Sequence, residues 1–434
     1  MNFTHSLDKH LQQIKSGGYS VFLKKTLSLI FLILQTPIYL SAFPIVLFIY
    51  LIKSFFLIRL GELPSGRIGH FSMNVELYCC EKEENINTPP QKHIDIFFLQ
   101  KVVCNRQLAK MWRRKLIVLP RWFVYPIYKV NLFLNKLIPV KESTKIGPEN
   151  SDRDIYNLLE KSNSHISFTK NEEKKGKNNL KDFGIDVNCK FVCLLVRDSA
   201  YLDRHKNQTK NDFNYHNYRD ADINKYLLAA EELTKRGYYV FRMGSKVLKP
   251  MQSSNPKIID YANTKLRSDF MDIYLGAKCT FCISVGGAGF MGVPFVFRKP
   301  NAYIMVPFGH LCTANKYDLM ITKNHIFNKT KKRLSFSEIF SRGVAIAYSQ
   351  EEYDKKGITL EENSPEEIRD LSIEMDDRLN GNWIQKDEDL DLQKQFWKIF
   401  SENIKKQDLE IPLHGIIKAK FCSNYLRKNN DLLK

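Results

Sequence analysis

Between Lys25 and Lys53 the chain has no charged residue at all. Residues 26–52 read TLSLIFLILQTPIYLSAFPIVLFIYLI, rich in Leu, Ile and Phe. A run of that length can cross a hydrocarbon layer as a helix. Pro37 and Pro44 interrupt it, and Lys24, Lys25, Lys53 and Arg59 make both flanks positive, so the positive-inside rule sets no direction. One span, a re-entrant hairpin with both ends in the cytoplasm and a helix lying in the interface are all compatible with these residues; insertion without translocation of the remainder is the favoured reading. A cleaved signal peptide competes, because Leu40-Ser41-Ala42 before Phe43 resembles a cleavage site. Against it, the apolar run continues well past that point, unlike a secretory segment.

Carboxylates are also in short supply, with 47 Asp and Glu against 66 Lys and Arg, a net charge of +19 and a pI near 9.3. Such an excess suits nucleic acid, a membrane surface or phosphate-bearing substrates. The nine cysteines lack a pattern: Cys79 and Cys80 are adjacent, the other seven are scattered, and no disulfide framework emerges. A reducing cytoplasm is expected, at the cytoplasmic face of the inner membrane. Cys279 and Cys282 form a C-x-x-C, but on a strand their side chains point to opposite faces, poor geometry for a metal or a disulfide, and they read as small buried hydrophobes. At 434 residues and 44% hydrophobic, the chain is long enough for two α/β domains and too apolar for global disorder.

What is present centres on Cys279–Gly292, CTFCISVGGAGFMG. Thr280 to Val285 reads as a buried strand. Gly286, Gly287 and Gly289 follow, where backbone can approach an anion and donate amides to it. Two arginines close earlier strands, Arg197 after FVCLLV and Arg242 after YYVF, with Gly244 just beyond. Three strands thus deliver donors to one sheet edge, the edge where open α/β sheets bind ligands. A nucleotide sugar carries a diphosphate that guanidinium groups and amides would hold as it departs. The plainer alternative is a tight turn with surface salt bridges, and a glycine run alone does not decide between them.

Upstream, Phe55–Leu60 reads as a strand, Gly61–His70 (GELPSGRIGH) as a loop and Phe71–Cys80 as a helix, so Arg67, Gly69 and His70 sit at a strand-to-helix junction. Strands at Ile94–Leu99 and Leu116–Leu119, a basic helix over Arg106–Arg114 and an amphipathic stretch over Trp122–Leu137 complete a first doubly wound domain. Bases interleave there with Trp112, Trp122, Phe123, Tyr125 and Tyr128, which suits a membrane interface; single-stranded nucleic acid is the less favoured partner and solvated helix faces the plain reading. A polar connector runs from Lys141 to Asp186, with NEEKKGKNN near Asn171 as an exposed loop or helix end. The second domain has strands at Phe191–Val196, Tyr238–Arg242, Lys257–Asp260, Thr280–Val285, Pro294–Phe297 and Tyr303–Val306, with helices at Ala221–Arg236 and Ser268–Ala277. Ser364-Pro365-Glu366-Glu367 opens a helix, and another covers Leu392–Ile404.

GRIGHF, LLVRDSAYL, YHNYRDADINKYLLAAEELTKRGYYVFRMG, SDFMDIYLGAKCTFCIS, ENSPEEI and YLRKN, in that order from about Gly61 to Asn429, resemble a family of bacterial glycosyltransferases associated with surface-polysaccharide synthesis. The resemblance implies a GT-B fold, two Rossmann-like domains with the acceptor on the first and the nucleotide-sugar donor on the second. The divisions expected are residues 1–54 (membrane-associated segment), 55–186 (acceptor side with connector), 187–385 (donor domain) and 386–434 (terminal helix and tail). The serine-rich donor turn of the family stands as Ser284-Val285-Gly286-Gly287-Ala288-Gly289. From the chemistry, His70 is the first candidate for the base, with a helix-capping or core histidine as its alternative, and Asp198 the second, with a loop cap as its alternative. Arg67, Gly69, His216, Tyr218, Arg219 and Glu366 are assigned to substrate. Asp220-Ala221-Asp222 is read as a helix cap rather than a metal-holding D-x-D, so neither metal nor other cofactor is expected. The partners expected are a nucleotide sugar, a glycan or lipid-linked acceptor and the cytoplasmic membrane, without nucleic acid. A non-catalytic membrane- or glycan-binding assembly protein and a nucleotide-sugar epimerase are the alternatives.

Overall fold

The computed structural model describes residues 3–137, 146, 153–200, 214–287, 289–305, 307–312, 315–409 and 412–434. Ala288 of the glycine turn, Val306 and most of the first part of the connector lie outside the described residues. From the amino end run α1 (Phe3–Ile52), β1 (Leu57–Leu63), α2 (Ile68–Glu83), β2 (His93–Leu99), α3 (Arg106–Lys115), β3 (Ile117–Val118), α4 (Arg121–Leu137), α5 (Leu158–Lys161) and α6 (Lys170–Asp182). Next come β4 (Phe191–Leu195), α7 (Leu227–Lys235), β5 (Tyr239–Arg242), β6 (Ile258–Ile259), α8 (Asp269–Lys278), β7 (Cys282–Val285), α9 (Gly292–Val296), β8 (Asn301–Met305) and β9 (Leu319–Thr322). The chain ends with β10 (Asn324–Phe327), β11 (Lys332–Arg333), α10 (Phe336–Ser341), α11 (Gln350–Lys355), β12 (Ile358–Glu361), α12 (Pro365–Leu379), α13 (Asp387–Ile404), β13 (Lys420–Phe421) and α14 (Ser423–Lys428).

These elements form two compact units, each discontinuous in sequence. The first is Met1–Glu62, Pro89–Leu99 and Leu116–Ile146; the second is Leu63–Thr88, Gln100–Lys115 and Gly147–Lys434. In the first, β1, β2 and β3 make a small sheet in which β2 and β3 are parallel. Ala42, Val46 and Ile49 recur at helical spacing along α1 and pack with Val124, Ile127, Val130 and Leu134 of α4 over Leu60 and Phe98. The prolines at 37 and 44 do not end α1, which breaks instead at Gly18, where φ is 62°. Among the described residues no helix is long and apolar enough to cross a membrane.

The second unit is organised by a seven-stranded sheet in the order β13-β9-β8-β7-β4-β5-β6, parallel at every pairing. Without the edge strand β13 this is the doubly wound order 3-2-1-4-5-6, whose direction reverses between β4 and β7 and opens a crevice at the carboxyl ends of those strands. The strands are continuous apolar runs because helices cover both faces. A second, antiparallel sheet of β11, β10 and β12 stands apart from it.

Three expectations change. Pro294–Phe297 lies in the short helix α9 rather than a strand; so brief an apolar run has no period to separate the two states, and it is buried in both. NEEKKGKNN is the body of α6, opened by a capping box between Thr169 and Glu172. Trp112 is not a surface aromatic: it is buried, and its indole N–H donates to the Phe71 carbonyl at 3.0 Å. Gly176 in the middle of α6 is explained by the Tyr274 ring of α8, which occupies the space a Cβ would need. Gly176→Ala should therefore lower stability by about 1–3 kcal/mol despite the better helix propensity of alanine. Urea unfolding of the two proteins side by side measures it, and a stabilised variant would mean that the ring moves aside.

Candidate anion-binding site

At the crevice where the strand order reverses lies a cavity of about 480 Å³, lined entirely by residues of the second unit. The sheet contributes Leu195 at the end of β4 and Val196 to Asp198 after it, Met243 and Gly244 after β5, Gly287 and Gly289 after β7, and His310 after β8. Arg67, Ile68, Gly69 and His70, at the start of α2, line it as well.

Glycine lets α2 reach this edge. A Cβ on Gly69 would stand 3.0 Å from the Cα and carbonyl oxygen of Gly289, while one on Gly292 would collide with the Ser72 hydroxyl and come within 3.1 Å of the Gly69 carbonyl. The approach presents an N-terminus with neither a capping side chain nor an acidic residue in its first turn. Its leading amides, those of Ile68 and Gly69 first, point toward the crevice without a capping side chain, and the helix dipole adds positive potential there. The Arg67 carbonyl accepts the Phe71 amide at 2.9 Å, while the Arg67 guanidinium, just ahead of the helix, forms no hydrogen bond or ion pair with any described residue.

Opposite stands the segment from Asn214 to Arg219. Arg197 Nη1 donates to the His216 carbonyl at 3.0 Å and also to Asp220, and Arg219 Nη1 donates to the Gly287 carbonyl at 2.8 Å. Gly287 has a φ of 75°, and its missing side chain makes room for that guanidinium. The buried Lys323 anchors the segment by donating to the carbonyls of Tyr218 and Asp220, and burial brings its pKa down to about 8.

Several polar atoms here have no hydrogen-bond partner among the described residues although they are buried: Arg197 Nη2, Arg219 Nε, His216 Nδ1 and His310 Nε2. A buried unsatisfied polar group costs about 1–3 kcal/mol, and native proteins leave few of them. Burial, reinforced by Arg219, Arg197 and Arg67, takes His216 down to about 3. Burial together with Arg153 and Arg219 takes His310 well below its ordinary value. Both imidazoles are neutral because further positive charge is unwelcome.

Of the residues singled out in the sequence, Arg67, Gly69, His70, Arg197, Asp198, His216, Arg219, Gly244, Gly287 and Gly289 line this one cavity. The others stand outside its lining. Arg242 is 1% exposed and held by Asp260 at 3.0 Å. Ser284 is fully buried inside β7, and the Gly286 amide is taken by the Ile304 carbonyl at 2.7 Å. Tyr218 is buried beneath the Arg219 guanidinium, and Glu366 is exposed in the first turn of α12. Asp198 accepts amides from Ala200 at 3.1 Å and Leu248 at 2.9 Å, one on each oxygen, and so fixes the neighbouring loop. The D-x-D resolves as Asp220 on Arg197 and Asp222 capping a turn at the Asn224 amide, 3.2 Å.

The lining also holds Arg153, Lys246, Arg267, His310 and His414. Sequence reading missed them because each lies in a connection whose path the periodicity does not reveal. Arg267 donates to the Gly244 carbonyl at 3.0 Å and to Asp272 at 2.8 Å; burial raises Asp272 to about 6.

A second cluster in this unit, Glu76, Cys80 and His165, brings three ligand-type atoms within 4.8 Å of one another. Arg298 already donates to Glu76 at 2.6 Å, and the His165 ring nitrogens lie 3.1 Å from Glu76 and 3.0 Å from Glu83. Burial opposes charge on His165, but Cys80 and Glu76 overcome it and raise the imidazole to about 10. A guanidinium and an imidazolium thus neutralise Glu76, and a metal cation would meet two like charges. The cluster is an ion-pair hub fastening α2 to the segment around His165 and to Arg298 after α9.

No family model matches the sequence, and no curated protein matches it. Among solved structures, the crystal structure of the glycosyl transferase family 9 from Veillonella parvula DSM 2008 aligns with a TM-score of 0.38 and 11% identity, over 61% of this chain and 85% of that one. So loose a likeness says nothing of activity.

His165 yields a prediction with a definite sign. Its folded pKa lies above the ordinary 6.5, so its contribution to stability is complete below about pH 6.5 and is lost as pH rises through about 10. Urea midpoints recorded across that window should fall more steeply for the wild type than for His165→Gln. Parallel pH profiles would show that the imidazolium is not formed.

Proposed function

We propose that the cavity binds the diphosphate of a nucleotide sugar and that the protein is a glycosyltransferase of GT-B type acting without a metal. The single observation that carries this reading is the set of unpartnered buried polar atoms on Arg197, Arg219, His216 and His310, gathered at the crevice where the strand order reverses. Two guanidinium groups, a third on Arg67 and the start of α2 match a group with several anionic oxygens. The same donors would stabilise charge on the departing nucleoside diphosphate, the role a divalent cation plays elsewhere. The sequence blocks that resemble bacterial glycosyltransferases support the reading independently.

In this mechanism the diphosphate sits between the first turn of α2 and Arg219, leaving the sugar toward His70. His70, in that first turn, takes the acceptor hydroxyl proton as the glycosidic bond forms and the C–O bond to the diphosphate breaks. The proposal includes a glycan or lipid-linked acceptor of surface-polysaccharide type, and attachment at the cytoplasmic face of the inner membrane through residues 26–52.

Thermal shift against a panel of nucleoside diphosphates and their sugars tests the binding step. The wild type should be stabilised by at least one of them, and Arg67→Ala or Arg219→Ala should weaken that ligand about tenfold to a hundredfold, equivalent to about 1.4–3 kcal/mol per charged hydrogen bond lost. His70→Ala should retain binding and lose nucleotide release in the presence of acceptor. Donor turnover without acceptor would instead favour an epimerase, and unchanged affinity in both arginine variants would place the ligand elsewhere.

A further inference from the structure

The first unit carries a surface that water suits poorly. Among the described side chains of α1 one stripe, Ala42, Val46 and Ile49, packs with α4, whereas other faces of the same segment are equally apolar and bare: Leu40 is 66% exposed, Phe48 58% and Leu51 78%. A helix apolar on every side belongs in a core or in lipid, and here one side already has its core. The exposed face of α4 has a different character. Trp122, 78% exposed, is followed at helical spacing by Lys129, Phe133 and Lys136, all exposed, so aromatic and basic side chains alternate along one line.

The charge of this unit favours one kind of occupant. Its described carboxylate side chains are Glu62 and Asp95, each neutralised by an arginine: Arg121 on the former, Arg59 with two bonds of 2.7 and 2.9 Å on the latter. Lys53, Lys92, Lys129 and Lys136 have no comparable acidic counterweight among the described side chains of the unit. A second copy of so basic a surface would repel it, and a nucleic acid would leave the leucines and phenylalanines of α1 uncovered. A negatively charged lipid layer satisfies both features at once, with acyl chains for the bare face of α1 and head groups for the tryptophan and lysines of α4.

We propose that α1 between Ile38 and Leu51 and the exposed line of α4 together form an anionic-lipid docking surface. This extends the membrane placement of the preceding reading to named side chains and stands or falls independently of sugar transfer.

The test uses the full chain and vesicles of phosphatidylcholine with or without about one third phosphatidylglycerol. Co-sedimentation should be strong with the anionic vesicles and weak with the neutral ones. Bromine-labelled acyl chains should quench a tryptophan signal that disappears in Trp122→Phe. The double variant Lys129→Glu, Lys136→Glu should lose about tenfold or more in vesicle affinity, at roughly 1 kcal/mol per base near the surface. These are exposed positions, so its melting temperature and nucleotide-induced stabilisation should match the wild type, which separates failure of docking from failure of the sugar-transfer reading. Equal vesicle binding by variant and wild type, no preference for anionic lipid, or a concentration-dependent dimer abolished by the same substitutions would each overturn the assignment.

Discussion

The arrangement of the site depends on how closely the first turn of α2 approaches the turn after β7. Gly69 and Gly289 meet backbone to backbone, and Gly292 makes room for Ser72. Any side chain at Gly69 would force the elements apart, at about 1–3 kcal/mol for an inserted methyl group. The contact carries an uncapped helix N-terminus and Arg67 to the carboxyl ends of β4 and β7. A doubly wound sheet supplies a crevice there in any case; the glycine contact makes its far wall a row of donors.

Charge distribution follows from that geometry. Acidic side chains near the crevice are already committed: Asp220 to Arg197, Asp260 to Arg242, Asp272 to Arg267 and Tyr261, and Asp198 to two backbone amides. Among the described residues Arg67 and Arg219 have no carboxylate of their own, and the neighbouring histidines respond by staying neutral. Like charges gathered around one cavity repel one another, so an anion entering it relieves that cost. The Glu76 cluster shows the opposite solution: there carboxylate, guanidinium and imidazolium balance internally and leave nothing for a ligand to satisfy.

Much of the second unit was legible in the amino-acid order because its strands are short, apolar and separated by amphipathic helices. Arg197, Gly244, Gly287 and Gly289 could be assigned to one edge from their positions just after strands. The same rule misplaced Arg242: the residue closing β5 points into a buried pair with Asp260, and strand position alone does not specify which face a terminal side chain takes. Ser284 and Gly286 are likewise consumed by the sheet. The glycines proved to matter less as amide donors than as spaces through which α2 approaches, a property set by a partner more than two hundred residues distant. Arg153, Arg267, His310 and His414 were invisible for the same reason, since only tertiary folding brings their connections together. The strands β9 to β13 went unread because each is only two to four residues long, too short for a period to show.

The central claim is that a diphosphate lies between the amino end of α2 and the Arg219 guanidinium. A crystal structure of the protein grown with whichever nucleoside diphosphate stabilises it most would show this directly. The account predicts phosphate oxygens within hydrogen-bond distance of the Ile68 or Gly69 amide, Arg67 and Arg219. A diphosphate bound away from the reversal point of the sheet, with those groups still facing solvent, would contradict it.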